Sequence, residues 1–301
     1  MLPAVRSQGM ETRPLGTTGH ESSVLAFGAI ALDSLDQPDA DEMVHEVLDR
    51  GVNHVDVAPT YGTAETKLAP VLGERRDEAF LACKTQERTY NGAWGELHRS
   101  LDRLGVGRLD LYQFHAVTRY GELETILGEG DDPGALAAFE DAKQAGLIDH
   151  VGLTSHGDPS LIRTAMKRLD ALETVMFPTN YTLAAKEGPE HDYAAVLDLA
   201  EELGLGALGI KAFAKAPWPD DLDPEERPYE TWYEPYDDPE DLETCLRFAL
   251  SRGLTSITNA GDPRLVPSIL DAAEAFEPMD GDEQAALVER ARDADTPVPR
   301  P

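Results

Sequence analysis

Four ionisable residues stand at the carboxyl ends of three short apolar stretches. Asp56 lies near the end of Asn53–Val57 and Tyr61 follows it closely; Lys84 closes Ala79–Lys84; His115 closes Leu109–His115. A lysine ending an apolar stretch has little water around it, so burial lowers its pKa unless a carboxylate pairs with it. Asp56 is the obvious partner. A charged Lys84 beside Tyr61 is then expected to stabilise the phenolate and lower the tyrosine pKa from about 10. Such a tyrosine can give a proton to an alkoxide forming near neutral pH. His115 is suited to orienting a carbonyl oxygen by donating a hydrogen bond. The four together suit protonation of a carbonyl oxygen while hydride arrives at its carbon. Each alone has a plainer use: Asp56 as a helix N-cap, Tyr61 as rim packing, Lys84 as a snorkelling strand end, His115 as a satisfied rim histidine.

For these groups to meet, their strands must lie side by side and run in parallel. The chain is patterned for that. Strand-like runs occur at Val24–Leu32, Asn53–Val57, Ala79–Lys84, Leu109–His115, His150–Thr154, Thr174–Pro178, Leu205–Lys211 and Thr255–Thr258. Most are short, continuous and bounded by turn residues, as buried parallel strands should be. Between them lie amphipathic stretches: Asp39–Asp49, Gly92–Leu104, Gly134–Ala145, Pro159–Leu169, Tyr193–Leu203, Asp238–Ser251 and Leu265–Phe276. Gly51, Gly105, Gly146, Gly204 and Gly253 follow helix ends, where a left-handed cap is wanted. This α/β alternation means a (β/α)8 TIM barrel or a doubly wound sheet. The first strand reads Ala26-Phe27-Gly28-Ala29-Ile30-Ala31 and carries no phosphate loop. The barrel is therefore expected. Barrel enzymes place their chemistry at the carboxyl ends of the strands, where Asp56, Tyr61, Lys84 and His115 stand.

Two stretches depart from the repeat. Residues 10–23 read as a short hairpin capping the barrel bottom. Residues 212–239 read as a long loop after the seventh strand, holding Phe213, Trp218, Tyr229, Trp232, Tyr233 and Tyr236. One domain over residues 10–295 is expected, with a disordered extension at 1–9, a frayed tail at 296–301 and Met10 as a plausible start.

The order Asp56-x-Ala58-x-x-Tyr61-Gly62, Lys84, His115 resembles the aldo-keto reductase superfamily. So do Arg13-Pro14-Leu15-Gly16-Thr17-Thr18-Gly19 and the run from Ser100-Leu101-Asp102-Arg103-Leu104-Gly105 to Asp110-Leu111-Tyr112. The resemblance covers nearly all of residues 11–276. It implies a barrel, a nicotinamide cofactor bound without a Rossmann fold, carbonyl reduction, and a catalytic tetrad at Asp56, Tyr61, Lys84 and His115. It further implies that Thr154 and Ser155 replace a Ser-Asn pair that contacts the carboxamide, and that Lys211 meets the pyrophosphate. Thr258, Asn259 and Arg264 then lie where the family holds the phosphates, with Arg264 toward the 2′-phosphate of NADP(H), favoured here over NAD(H). Met176 stands where a Gln commonly helps, and Pro267-Ser268 replaces a Glu-Asn pair, marking a divergent branch. His156, Trp218 and Trp232 are candidate substrate contacts.

Composition narrows the setting. There are 57 acidic and 26 basic residues, a formal net charge of −31 and a pI near 4.4. This argues against nucleic acid and anionic membrane surfaces as partners. A small carbonyl compound is the expected partner. Basic residues comprise 7 Lys and 19 Arg. Acidic excess with arginine favoured over lysine suggests a halophilic, haloarchaeal-type protein, whose self-repulsion concentrated salt would screen. Against that charge, Lys211 and Arg264 are expected to form a local basic island. Cys83 and Cys245 form no CxxC metal signature, and no metal is expected. Cys83 is expected to point away from Lys84, into the helix layer. No apolar run approaches the roughly 18 residues that would span a bilayer, so a cytoplasmic location is expected. Two rival functions remain at this level: Schiff-base chemistry at Lys84, and a non-catalytic cofactor sensor of the same fold.

Overall fold

Short apolar strands alternating with amphipathic helices resolve into a closed barrel. The computed structural model describes residues 9–298. A hairpin of β1 (Thr12–Pro14) and β2 (Glu21–Ser23) comes first. The barrel follows as β3 (Leu25–Gly28), β4 (His54–Asp56), β5 (Phe80–Thr85), β6 (Leu109–Phe114), β7 (Ile148–Thr154), β8 (Thr174–Pro178) and β9 (Gly206–Ile210). A side hairpin, β10 (Ala214–Ala216) with β11 (Glu234–Pro235), precedes the last barrel strand, β12 (Ser256–Thr258). All eight barrel pairings are parallel, and β12 closes the ring between β9 and β3.

The helices are α1 (Gln37–Asp49), α2 (Ala64–Arg75), α3 (Tyr90–Leu104), α4 (Tyr120–Ile126), α5 (Gly134–Gln144), α6 (Pro159–Arg168), α7 (Tyr181–Ala184), α8 (Ala194–Leu203), α9 (Pro239–Ser251), α10 (Val266–Glu274) and α11 (Gly281–Arg290). Their starts follow capping chemistry. The Asp36 carboxylate accepts from Asp39 N, and Asp238 accepts from Glu240 N. Gly105 ends α3 in the left-handed region at φ 67°, which a residue with a Cβ adopts only at a cost.

Strand alternation sorts side chains into two layers. Cys83, Tyr112, Phe114 and Val151 face outward into the helix layer. Ala82, Leu111, Met176, Leu208 and Ile210 face inward with Leu15 and Phe80 as a separate core. Leu15 comes from the hairpin and plugs the barrel base. A Cβ on Gly16 would lie 2.2 Å from Gly206 N, so the hairpin turn reaches β9 only because residue 16 is glycine. The plug is fastened by Arg13, which donates to the Leu250 and Leu254 carbonyls.

Several boundaries differ from the sequence expectation. The first strand stops at Gly28, and Ala29–Leu32 turns into a 3-10 helix. Helix α2 carries a weak stripe and an internal Pro70, so its periodicity was obscured. Val298 was expected in a frayed tail; it is buried against the core. The aromatic loop is itself structured by the β10–β11 pairing, and Tyr236 N donates to the Phe213 carbonyl. Its acidic residues, from Asp220 to Glu226 and from Asp237 to Asp241, are exposed. Residues 1–8, which cover most of the expected N-terminal extension, lie outside the described residues, as do 299–301.

Candidate active site

The barrel register brings the expected groups to one mouth. Asp56 ends β4, and the chain then turns so that Tyr61 N donates to the Ala58 carbonyl. This returns the Tyr61 ring over the end of β5. There Lys84 Nζ pairs with Asp56 Oδ2 and lies 3.2 Å from the Tyr61 hydroxyl. The same ammonium lies 4.9 Å from the Tyr61 ring centroid. The Tyr61 and His115 rings meet edge to face at 5.9 Å. Asp56 and Lys84 are both almost wholly excluded from water.

Burial opposes the charge on Lys84, but Asp56 and Tyr61 more than offset it, and its pKa is raised. The ammonium therefore persists at neutral pH. The expectation for Tyr61 needs correction. Lys84 does favour the phenolate, but burial is larger and Asp56 adds to it, so the tyrosine pKa is raised rather than lowered. In this state Tyr61 holds its proton at neutral pH. Burial, then the cationic field of Lys84, pushes the His115 pKa well below its usual value. A neutral imidazole results, able to donate from one ring nitrogen.

The backbone around His115 is strained and firmly held. Ala116 adopts φ 53°, a left-handed conformation that costs about 1 kcal/mol or more outside glycine. Arg88 Nη2 donates to the His115 carbonyl at 2.7 Å, and Ala116 N donates to Thr154 Oγ1 at 3.0 Å. Ser155 Oγ donates to the Val117 carbonyl at 2.6 Å. Thr154 and Ser155, expected at the cofactor, thus make bonds that fix the segment carrying His115. Neither Arg88 nor Gln113 was singled out from sequence. Gln113 had a readable signal, two residues before His115 on the same strand face. Arg88 had none, because its partners, the Thr85, His115 and Ala116 carbonyls and the Glu122 carboxylate, are brought to it only by the fold.

The remaining candidates divide. Lys211 follows β9 at φ 61°, and Asn180 Nδ2 donates to its carbonyl. Its Nζ lies 5.1 Å from the Trp232 ring centroid and 5.3 Å from that of Tyr233. His156 meets Trp232 edge to face at 6.5 Å. His156, Lys211 and Trp232 therefore share one side of the mouth. Trp218 does not join them. Its indole N–H donates to the Thr231 carbonyl within the aromatic loop, so it anchors the loop instead of lining a cleft. Thr258 ends β12. Asn259 stitches β12 to β3, accepting from Gly28 N and donating to the Ala260 carbonyl. Arg264 is engaged by the buried Asp262 carboxylate and donates to the Pro228 carbonyl, with its guanidinium over Tyr229. The expected basic island is thus compensated at Arg264. Cys83 lies in the helix layer near Glu65, as its alternation required. Among the described residues no cluster of His, Cys, Asp and Glu could hold a metal ion. No described helix is long and apolar enough to cross a membrane.

Residues 24–289 match the family model described as the aldo/keto reductase family. The chain belongs to this family. Aldo/keto reductase neighbours also share the barrel. AKR11C1 from Bacillus halodurans superposes with a TM-score of 0.71 at 22% identity, covering 94% of this chain and 96% of that one. A putative aldo-keto reductase from Pseudomonas aeruginosa gives 0.68 at 20% identity, covering 92% and 100%. Among curated relatives, the Bacillus subtilis uncharacterized oxidoreductase YqkF is 28% identical over 181 residues, 56% of each chain. L-galactose dehydrogenase of Arabidopsis thaliana is 28% identical over 160 residues, 48% of each. The matches thus span about half the length of these two relatives. The family is one of oxidoreductases.

Proposed function

We propose that this aldo/keto reductase reduces an aldehyde or ketone to an alcohol, with Tyr61 as the proton donor. The observation that carries this reading is the Lys84 ammonium, held by Asp56 and 3.2 Å from the Tyr61 hydroxyl. Tyr61 is protonated at neutral pH and has the charge beside it that stabilises the phenolate once the proton leaves. His115 is neutral and its Nδ1 has no partner among the described residues, so its ring can turn a donor toward a carbonyl oxygen. Trp232 and His156 border the substrate on the outer side.

A reduced nicotinamide, when bound, supplies the hydride. The residues present fit an anionic dinucleotide through Lys211, which follows β9 at the mouth in a left-handed backbone conformation, with Thr258 at the end of the neighbouring strand β12. Asn259 and Arg264 act toward such a group through the loop they brace. Arg264 selects the 2′-phosphate of NADP(H) only if that phosphate displaces Asp262. Quenching of protein fluorescence by NADPH and NADH, each in low and high KCl, measures the preference.

The structure gives little support to Schiff-base chemistry. Asp56 keeps Lys84 protonated, which withholds the lone pair that attack on a carbonyl needs. Tyr61→Phe is the deciding experiment. It should lose carbonyl reduction by at least a hundredfold while cofactor affinity stays within about twofold. Full activity in that variant overturns the assignment.

A further inference from the structure

Asp56 has two carboxylate oxygens, and only Oδ2 faces Lys84. Oδ1 accepts from Gln113 Nε2 at 3.0 Å. Gln113 is completely buried on β6, on the same inward face as His115. A carboxylate can only accept from this amide, so the orientation of the side chain is set by chemistry.

The register explains how Gln113 reaches that place. It sits opposite Lys84 on β5 and opposite Gly152 on β7. Gly152 does not adopt a positive φ, so the backbone does not demand glycine there. Space does. A Cβ at position 152 would lie 2.4 Å from Thr174 Oγ1 and 2.9 Å from Gln113 Cγ.

We propose that Gln113 is a positioning residue of the proton-donating group: it holds Asp56 against Lys84, and Gly152 leaves the room it needs. This rests on the reading of Tyr61 as proton donor. Gln113 touches neither substrate nor cofactor in this role. It acts through Asp56, which fixes Lys84, which sets the field at the Tyr61 hydroxyl. Without the amide, Asp56 Oδ1 is a buried acceptor with no donor, and the carboxylate can rotate away from the geometry that holds Lys84. The titratable groups around this set are Tyr61 after β4, His54 on β4 and His115 after β6, with Cys83 of β5 behind it in the helix layer. His156, Arg88 and Lys211 act on His115 from the surrounding loops.

The test compares Gln113→Met, Gln113→Glu and Gly152→Ala with the parent. Each is read by kcat, by KM for carbonyl and cofactor, and by tyrosinate absorbance during an alkaline titration, with Tyr61→Phe to isolate the Tyr61 contribution. Gln113→Met keeps the volume and loses the donor. It should lower kcat at least tenfold, leave cofactor KM within twofold and raise the Tyr61 titration point. Gly152→Ala should shift the same quantities in the same direction. In Gln113→Glu, two adjacent carboxyls share one proton. Activity should therefore survive at acid pH and fall as the pH rises through the loss of that proton, a limb absent from the parent. Parent-like kcat and Tyr61 titration in Gln113→Met overturn the proposal. So does a loss of thermal stability with no shift in the Tyr61 titration, which marks Gln113 as packing only. If the parent reduces no carbonyl, the functional reading fails, and the titration still decides the role of Gln113.

Discussion

Asp56→Asn leaves the Lys84 ammonium buried without its carboxylate. The side chains of the pair are 1% and 3% exposed, so water cannot replace what is lost. Breaking a buried pair from one side costs about 3–5 kcal/mol. An independent limit comes from lysine itself: neutralising a group of pKa about 10.4 at pH 7 costs about 4.6 kcal/mol. The two agree, so a loss near 4 kcal/mol at pH 7 is expected, or roughly 6 °C in the unfolding midpoint for a chain of this size. The pH dependence is the sharper signature. In the variant, folded Lys84 is neutral and unfolded Lys84 is charged, so the unfolded state binds more protons and stability rises with pH. The deficit relative to the parent should shrink by about 1.4 kcal/mol per pH unit between pH 7 and 10. In the parent, the raised Lys84 pKa means its contribution is complete below the unfolded value of about 10.4 and is lost only above it. Urea unfolding at constant salt measures all of these. A loss below about 1 kcal/mol in Asp56→Asn, or a deficit flat with pH, refutes a buried Lys84 charge that depends on Asp56.

Two further outcomes follow from the barrel base and the surface. His54 is buried, and burial, then His20 and Lys84, pushes its pKa down to about 3; stability from keeping it neutral is complete above about pH 6.5 and falls by up to about 1.4 kcal/mol per pH unit as pH drops toward 3. Urea midpoints between pH 6.5 and 4 should show this slope, and His54→Gln should lessen it; an unchanged slope in the variant refutes the assignment. With a net charge of −31, raising KCl from 0.1 to 1 M shortens the Debye length from about 10 to about 3 Å and should raise the unfolding midpoint. An unchanged or lower midpoint refutes charge repulsion as a limit on stability.

The family was legible from its motifs, and the meeting of Asp56, Tyr61, Lys84 and His115 at one mouth was legible from where short local runs end. A parallel barrel strand is a short apolar run, and its last inward residue necessarily faces the mouth, so Asp56, Lys84 and His115 declare their place by where their runs end. The same alternation sent Cys83 into the helix layer. The glycines after the helices were equally legible, because a left-handed cap is a property of the local backbone. Helix α2 escaped notice because Pro70 and a weak stripe blur its period.

What the tertiary structure alone decided is partnership and net balance. Trp218 and Trp232 look alike in sequence, yet one spends its indole N–H inside the loop and the other stands over Lys211. Arg264 reads as a free cation until Asp262 and the Pro228 carbonyl are placed around it. Gln113 gained meaning only when the register set it between Lys84 and Gly152. For Tyr61 the sequence supplied the correct neighbour but not the sign of the sum, since burial and Asp56 together exceed the effect of Lys84. Residue type and spacing determine which groups can meet. Burial and competing partners, which depend on every surrounding element, determine what charge and bonds those groups then carry.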